Sequence, residues 1–173
     1  ALLRTKKMFV DTYGEVPPMI GFLGLDTDSN AYKKELDSVY GTVKLTPNEQ
    51  MPIFVEDARP IYEVNKEHFS WLPEKNLYAL SSMTLGAGQV RTNGRFAFTV
   101  NYKSVENKVR SILDTITAAT ISTNPKYELL GNYVEIHMAF SVCGGTGCGT
   151  FLNMAYLLKD VAHAAAIAEA LGI

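Results

Sequence analysis

Apolar residues set the organisation of this chain. Over residues 102–118 they recur at Val105, Val109, Ile112, Leu113 and Ile116, the three- and four-residue spacing of a helix laid on a sheet. The run Tyr133-Val134-Glu135-Ile136-His137-Met138-Ala139-Phe140 is almost continuously apolar, and residues 133–142 read as a central strand, because a parallel sheet covered on both faces takes such runs. A helical pattern follows from Phe151 to Ala170, with a possible break at Lys159-Asp160 and Gly172 placed as its stop. Residues 1–10 have helical character, and Gly14 with the Pro17-Pro18 pair ends that helix and leads into a strand at Met19. Between 41 and 77, Pro47, Pro52, Pro60 and Pro73 alternate with short apolar runs, Ile53-Phe54-Val55 and Ile61-Tyr62-Glu63-Val64, a pattern of loops and short edge strands. The sum is an α/β architecture.

The chain has 173 residues, 47% hydrophobic and 20% charged, enough to bury a full core as one domain over residues 1–173. A formal charge of −2 and a pI near 5.9 give no basic footprint for a phosphate backbone, so nucleic acid is not an expected partner. No apolar stretch reaches the length of a membrane span, and nothing resembles a signal peptide. Cys143 and Cys148 are the only cysteines, too few for a disulfide framework, which points to a reducing cytoplasm. Neither forms a known metal-ligand spacing with His137 or His163. Cys143 reads as a small core residue ending the strand, Cys148 as the occupant of a small-residue position, and His137 as a hydrogen-bonded strand histidine.

Candidate chemistry concentrates in Gly144-Gly145-Thr146-Gly147-Cys148-Gly149-Thr150, between the strand-like and helix-like runs. Glycines let the backbone bend and bring N–H groups close to an anion, the threonines add hydroxyls, and a helix start adds free N–H groups and partial positive charge. The P-loop pattern needs a lysine where Thr150 stands, and the dinucleotide fingerprint needs a third glycine at that same position. Ordinary tight turns in an α/β domain remain the bland alternative.

The 144–150 segment resembles the glycine-rich signature of the tubulin and FtsZ superfamily at every position. A second segment, Gly86-Ala87-Gly88 followed after five residues by Gly94-Arg95, looks like another loop of the cell-division protein FtsZ. A third, from Met19 through Asp26-Thr27-Asp28, is similar to the family's second strand and its terminal Asn-Thr-Asp, with Leu25 in place of the usual polar residue. The stretch from about Tyr40 to Leu77 matches nothing in the family, and 41–77 is read as a family-specific insertion.

The resemblance implies a three-layer, Rossmann-like, mostly parallel sheet with helices on both faces. It implies GTP or GDP with Mg²⁺ as ligands. Gly144, Gly145, Thr146, Gly147 and Thr150 would hold the α- and β-phosphates, with Cys148 and Gly149 completing the loop, while Gly86, Ala87, Gly88 and Gly94 would approach the γ-phosphate. Asp26 and Asp28 would orient the Mg²⁺, or simply form a turn. Arg95 would neutralise phosphate or lie on a solvated helix face. In the family, water is activated by a loop of the next subunit in a filament, encoded beyond a long central helix, so no residue here is given a catalytic role. The absence of an initiator Met and of an N-cap leads to the expectation that a strand and a first loop precede this chain and that further sequence follows it. The implied whole is a cytoplasmic, self-assembling cytoskeletal GTPase of the cell-division type, with head-to-tail contacts between subunits. The alternative is a non-polymerising nucleotide-binding regulatory module. A Rossmann-type dinucleotide enzyme is more distant.

Overall fold

The structure is a computed structural model, and it describes residues 1–80, 83–121, 126–127 and 133–171. Four helices and four short strands appear among them: α1 (Leu2–Tyr13), β1 (Gly24–Asp26), β2 (Leu36–Ser38), β3 (Gly41–Val43), β4 (Gln50–Pro52), α2 (Ala58–Val64), α3 (Arg91–Ile121) and α4 (Gly145–Leu171). β1 pairs with β4 in a small two-stranded parallel sheet, and β2 pairs antiparallel with β3 in the register Leu36↔Val43, Asp37↔Thr42, Ser38↔Gly41. The fold is mixed α/β. The chain separates into two compact units, one of Ala1–Gly24, Tyr32–Gln50 and Lys108–Ala139, the other of Leu25–Ala31, Met51–Asn107 and Phe140–Ile173.

In the first unit α1 ends as its sequence requires. Gly14 takes a left-handed φ of 80° and donates its N–H to the Val10 carbonyl, a cap that a residue with a Cβ adopts only under strain. Phe9 packs on Phe22 with ring centroids 6.1 Å apart. Lys6, although charged, is buried; its Nζ donates to Glu49 at 2.5 Å and to the Lys44 carbonyl at 2.9 Å. A buried ammonium is tolerated when donors of this kind are satisfied.

A second ion pair gives a pH-dependent contribution. Lys126 Nζ donates to Glu15 at 2.8 Å and Tyr127 donates its hydroxyl to the same oxygen at 3.1 Å. The Lys126 hydrogen bond, then that of Tyr127, holds the Glu15 carboxyl below its ordinary 4.5, and Glu15 in turn raises Lys126 above its ordinary 10.5. The Glu15 contribution is present above its unfolded pKa and disappears as pH falls through its lower folded value; the Lys126 contribution is present below its unfolded pKa and disappears as pH rises through its higher one. Glu15→Gln should therefore lower the urea midpoint slightly and evenly across neutral pH. The difference from the parent should vanish at both the acid and the alkaline limit.

The second unit carries the largest fully buried side chains: Ile53, Met83, Phe96, Phe98, Val105 and Leu157. Phe69 lies on Phe96 with centroids 4.4 Å apart. Backbone hydrogen bonds stitch three segments together, Ile53 N to Asp26 O at 2.9 Å, Met83 N to Val55 O at 2.7 Å and Ser29 N to Thr84 O at 3.1 Å.

Several expectations change here. Residues 133–140 form no strand, and Tyr133, Val134, Ile136, Met138 and Phe140 are exposed. An apolar run becomes a central strand only with a ladder on each edge, and the described strands pair with one another instead. Cys143, expected in the core at a strand end, is accordingly exposed. His137 lies outside any strand, its Nε2 3.1 Å from Glu135 Oε1. Ile61 to Val64 fall in helix α2 rather than in an edge strand, and Ile53-Phe54-Val55 lie outside any strand. The strand expected from Met19 is confined to β1, starting at Gly24. Helix α4 passes Lys159-Asp160 unbroken, and Gly172 lies outside the described residues. Helix α3 covers the predicted stripe and extends past it at both ends, with Val105 and Val109 buried.

Candidate functional site

The two glycine-rich segments meet in the second unit. Helix α4 starts at Gly145, inside the 144–150 segment rather than after it, and its first backbone bond runs from Cys148 N to Gly144 O at 3.3 Å. Gly144 is therefore the N-cap residue. The N–H groups of Gly145, Thr146 and Gly147 point out of the helix start without intrahelical acceptors. This is the donor array that favours an anion.

Glycine at these positions is demanded first by packing. A Cβ on Gly94, in the first turn of α3, would sit 2.2 Å from the Gly145 carbonyl oxygen. One on Gly149 would sit 2.3 Å from the Arg91 oxygen and 2.9 Å from Gly94 Cα. One on Gly145 would lie 2.8 Å from Val90 N and 2.9 Å from Ala87 Cβ, and one on Gly147 would lie 2.9 Å from the Ser141 oxygen. Backbone thus rests on backbone where the starts of α3 and α4 touch. Gly144 differs, since its nearest neighbour would be Ser141 at 4.0 Å.

The Gly86-to-Gly94 segment is shaped by its torsions. Gly86 and Gly88 have φ of 102° and 60°, with no atom within 4 Å of a Cβ placed on either. Gln89 also has a positive φ of 60°, which non-glycine residues seldom adopt. Gly86 N donates to Thr27 O at 3.3 Å, and Asp28 bridges antiparallel to Leu85, so this segment is fastened to the end of β1. Asn93, buried in α3, donates Nδ2 to the Ala87 carbonyl at 3.4 Å.

Thr27 is fully buried, and its hydroxyl shares a 2.5 Å hydrogen bond with that of Thr146. The bond joins the β1 end to the α4 start. Thr146→Val should leave the Thr27 hydroxyl unsatisfied and cost about 1–3 kcal/mol, whereas Thr27→Val with Thr146→Val should recover much of that loss. Urea unfolding of the double-mutant cycle checks this coupling.

Thr27, Ala87, Gly94 and the 145–149 residues therefore meet. Thr150 is buried, its Oγ1 3.5 Å from the Gly147 oxygen. Asp26 and Asp28 act locally: Asp26 Oδ1 accepts from Asp28 N at 3.0 Å and Asp28 Oδ1 from Asn30 N at 2.8 Å, the hydrogen bonds of a turn. Among the described residues no group of three His, Cys, Asp or Glu side chains is arranged to hold a metal. Arg95 lies over the Trp71 ring at 4.0 Å from its centroid. The sequence gives no role to Val90, Gln89 or Ser141, and it places Thr27 within the Asp26-Thr27-Asp28 segment without a role of its own.

Two glycine-rich segments in fixed order, in contact at the starts of two long helices, are accompanied by a family-level match. A family model described as tubulin like matches residues 1–170. The chain belongs to this tubulin-like family. No curated protein and no solved structure matches it. No helix of this tubulin-like chain, among the described residues, is long and apolar enough to cross a membrane.

Proposed function

We propose that this tubulin-like chain binds GTP or GDP with Mg²⁺ where the starts of α3 and α4 meet. In its full-length form it would be a cytoplasmic, self-assembling cytoskeletal GTPase with nucleotide between head-to-tail subunits. The observation that carries this reading is the contact of Gly94 with Gly145 and Gly149, which sets the two segments that resemble family nucleotide loops side by side. Gly144, Gly145, Thr146, Gly147, Cys148, Gly149 and Thr150 would serve the α- and β-phosphates, and Gly86, Ala87, Gly88 and Gly94 the γ-phosphate. Few cations lie in these segments, so backbone N–H groups and a metal ion would offset the charge. Asp26 and Asp28 are the acids available to orient Mg²⁺ waters, in addition to their turn contacts. The three-layer, mostly parallel sheet with helices on both faces belongs to the same proposal.

The test is a melting curve of the full-length protein with Mg²⁺ and each nucleotide. GTP at about 100 times its Kd should stabilise the fold by about 2.7 kcal/mol, a shift of roughly 5–10 °C for a domain of this size, and ATP should do much less. Light scattering on the same samples separates a polymerising GTPase from a non-polymerising module. Equal shifts with both nucleotides, or none, would reject the GTP reading.

A further inference from the structure

A groove of about 540 Å³ opens in the second unit, lined by Trp71 and Pro73, by α3 from Arg91 to Tyr102, and by α4 from Cys148 and Gly149 to Asp160. Its volume falls within the roughly 300–1,000 Å³ range of small-molecule sites. Arg91 and Arg95, one helical turn apart on α3, edge it together. Arg95 Cζ lies 4.0 Å from the centroid of the Trp71 ring, a cation–π contact that holds the guanidinium at the groove edge. Neither arginine has an ion pair or a hydrogen bond from its guanidinium among the described residues. The remaining walls include Tyr102, Tyr156 and Leu157, with Asp160 as the one acid. Two guanidiniums with open donors beside an aromatic wall favour a planar or tetrahedral anion attached to a flat apolar body.

We propose that this groove is a second ligand site, one that borders the glycine segments at Arg95, Cys148 and Gly149 and extends from them to Trp71 and Tyr156, for a small aromatic molecule bearing a phosphate or carboxylate. The aromatic body lies along Trp71 and Tyr156, and the anion bridges Arg91 and Arg95. The proposal does not depend on GTP binding.

Trp71 is the only tryptophan, so its single indole N–H resonance reports on this groove alone. The full chain is titrated with 1-naphthyl phosphate, and with 1-naphthol and inorganic phosphate as controls. Naphthyl phosphate should shift the indole resonance saturably, with both controls at least tenfold weaker. Arg91→Gln and Arg95→Gln should each weaken it at least tenfold; Arg91→Gln should melt as the parent does, and Arg95→Gln, which gives up its Trp71 contact, slightly lower. In a Cys143→Ser background, bound naphthyl phosphate should slow alkylation of Cys148, which lines the groove. Gly144→Asp should leave the titration unchanged. An absent shift, equal binding of naphthol, full binding by the arginine variants, unprotected Cys148, or loss of binding in Gly144→Asp would each overturn the proposal.

Discussion

Replacing Gly94 by alanine is expected to destabilise the fold by about 3 kcal/mol, the upper end of the usual cost of overpacking. Helix propensity alone gives the opposite sign, since alanine is favoured over glycine by about 1 kcal/mol within a helix. The structure decides between them. The added Cβ would lie 2.2 Å from the Gly145 oxygen and 3.0 Å from its carbonyl carbon, both backbone atoms that no rotamer change can move. The starts of α3 and α4 would have to separate. Gly149→Ala should behave alike, because its Cβ would meet Arg91 O at 2.3 Å and Arg95 N at 2.7 Å. Gly144→Ala, with 4.0 Å to its nearest neighbour, is the control and should cost only the difference between glycine and alanine as an N-cap, about 1 kcal/mol or less. Urea unfolding of the three variants measures the contrast; a Gly94→Ala protein as stable as the parent would mean that the helix starts do not touch.

Gly144→Asp should have the largest effect on binding while preserving the fold. Aspartate is a preferred N-cap residue, and a negative charge at a helix start is favourable, so the variant should melt at or slightly above the parent temperature. Against a phosphate held by the α4 start, the same carboxylate becomes a repulsive neighbour. Charges about 5 Å apart at an effective dielectric constant near 20 repel by about 3 kcal/mol, roughly 100-fold in Kd. Aspartate at Gly145 or Gly147 is a poorer probe, because the built Cβ at those positions already meets Val90 N at 2.8 Å and Ser141 O at 2.9 Å. Loss of binding there would confuse misfolding with repulsion.

Much of this was legible in the residues. The stripe at Val105, Val109, Ile112, Leu113 and Ile116 gives α3 directly, and Gly14 with the following prolines gives the end of α1, because local periodicity and capping are written in neighbouring residues. The two glycine segments identified the region where α3 and α4 start. What the sequence hid was nonlocal. Whether residues 133–140 form a strand depends on which strands flank them, and no feature of that run encodes its partners. The glycines were read as approach points for an anion, yet four of them are held by neighbouring backbone, a contact visible only once helices 91–121 and 145–171 are placed. The hydrogen bond between buried Thr27 and half-buried Thr146 joins residues 119 positions apart, beyond the reach of any local pattern. Ile61 to Val64 read as an edge strand and folded as helix, since a short apolar run fits both and Pro60 suits the first turn of α2.

The most direct test of the account is calorimetric titration of GTP and ATP, with Mg²⁺ and then with EDTA, into the longest natural form of the protein and its Gly144→Asp variant. Tight, Mg²⁺-dependent GTP binding, weaker ATP binding, and a roughly 100-fold loss in a variant that melts normally are the predicted results. No binding of either nucleotide, or undiminished GTP binding by Gly144→Asp, would contradict a phosphate site at the start of α4.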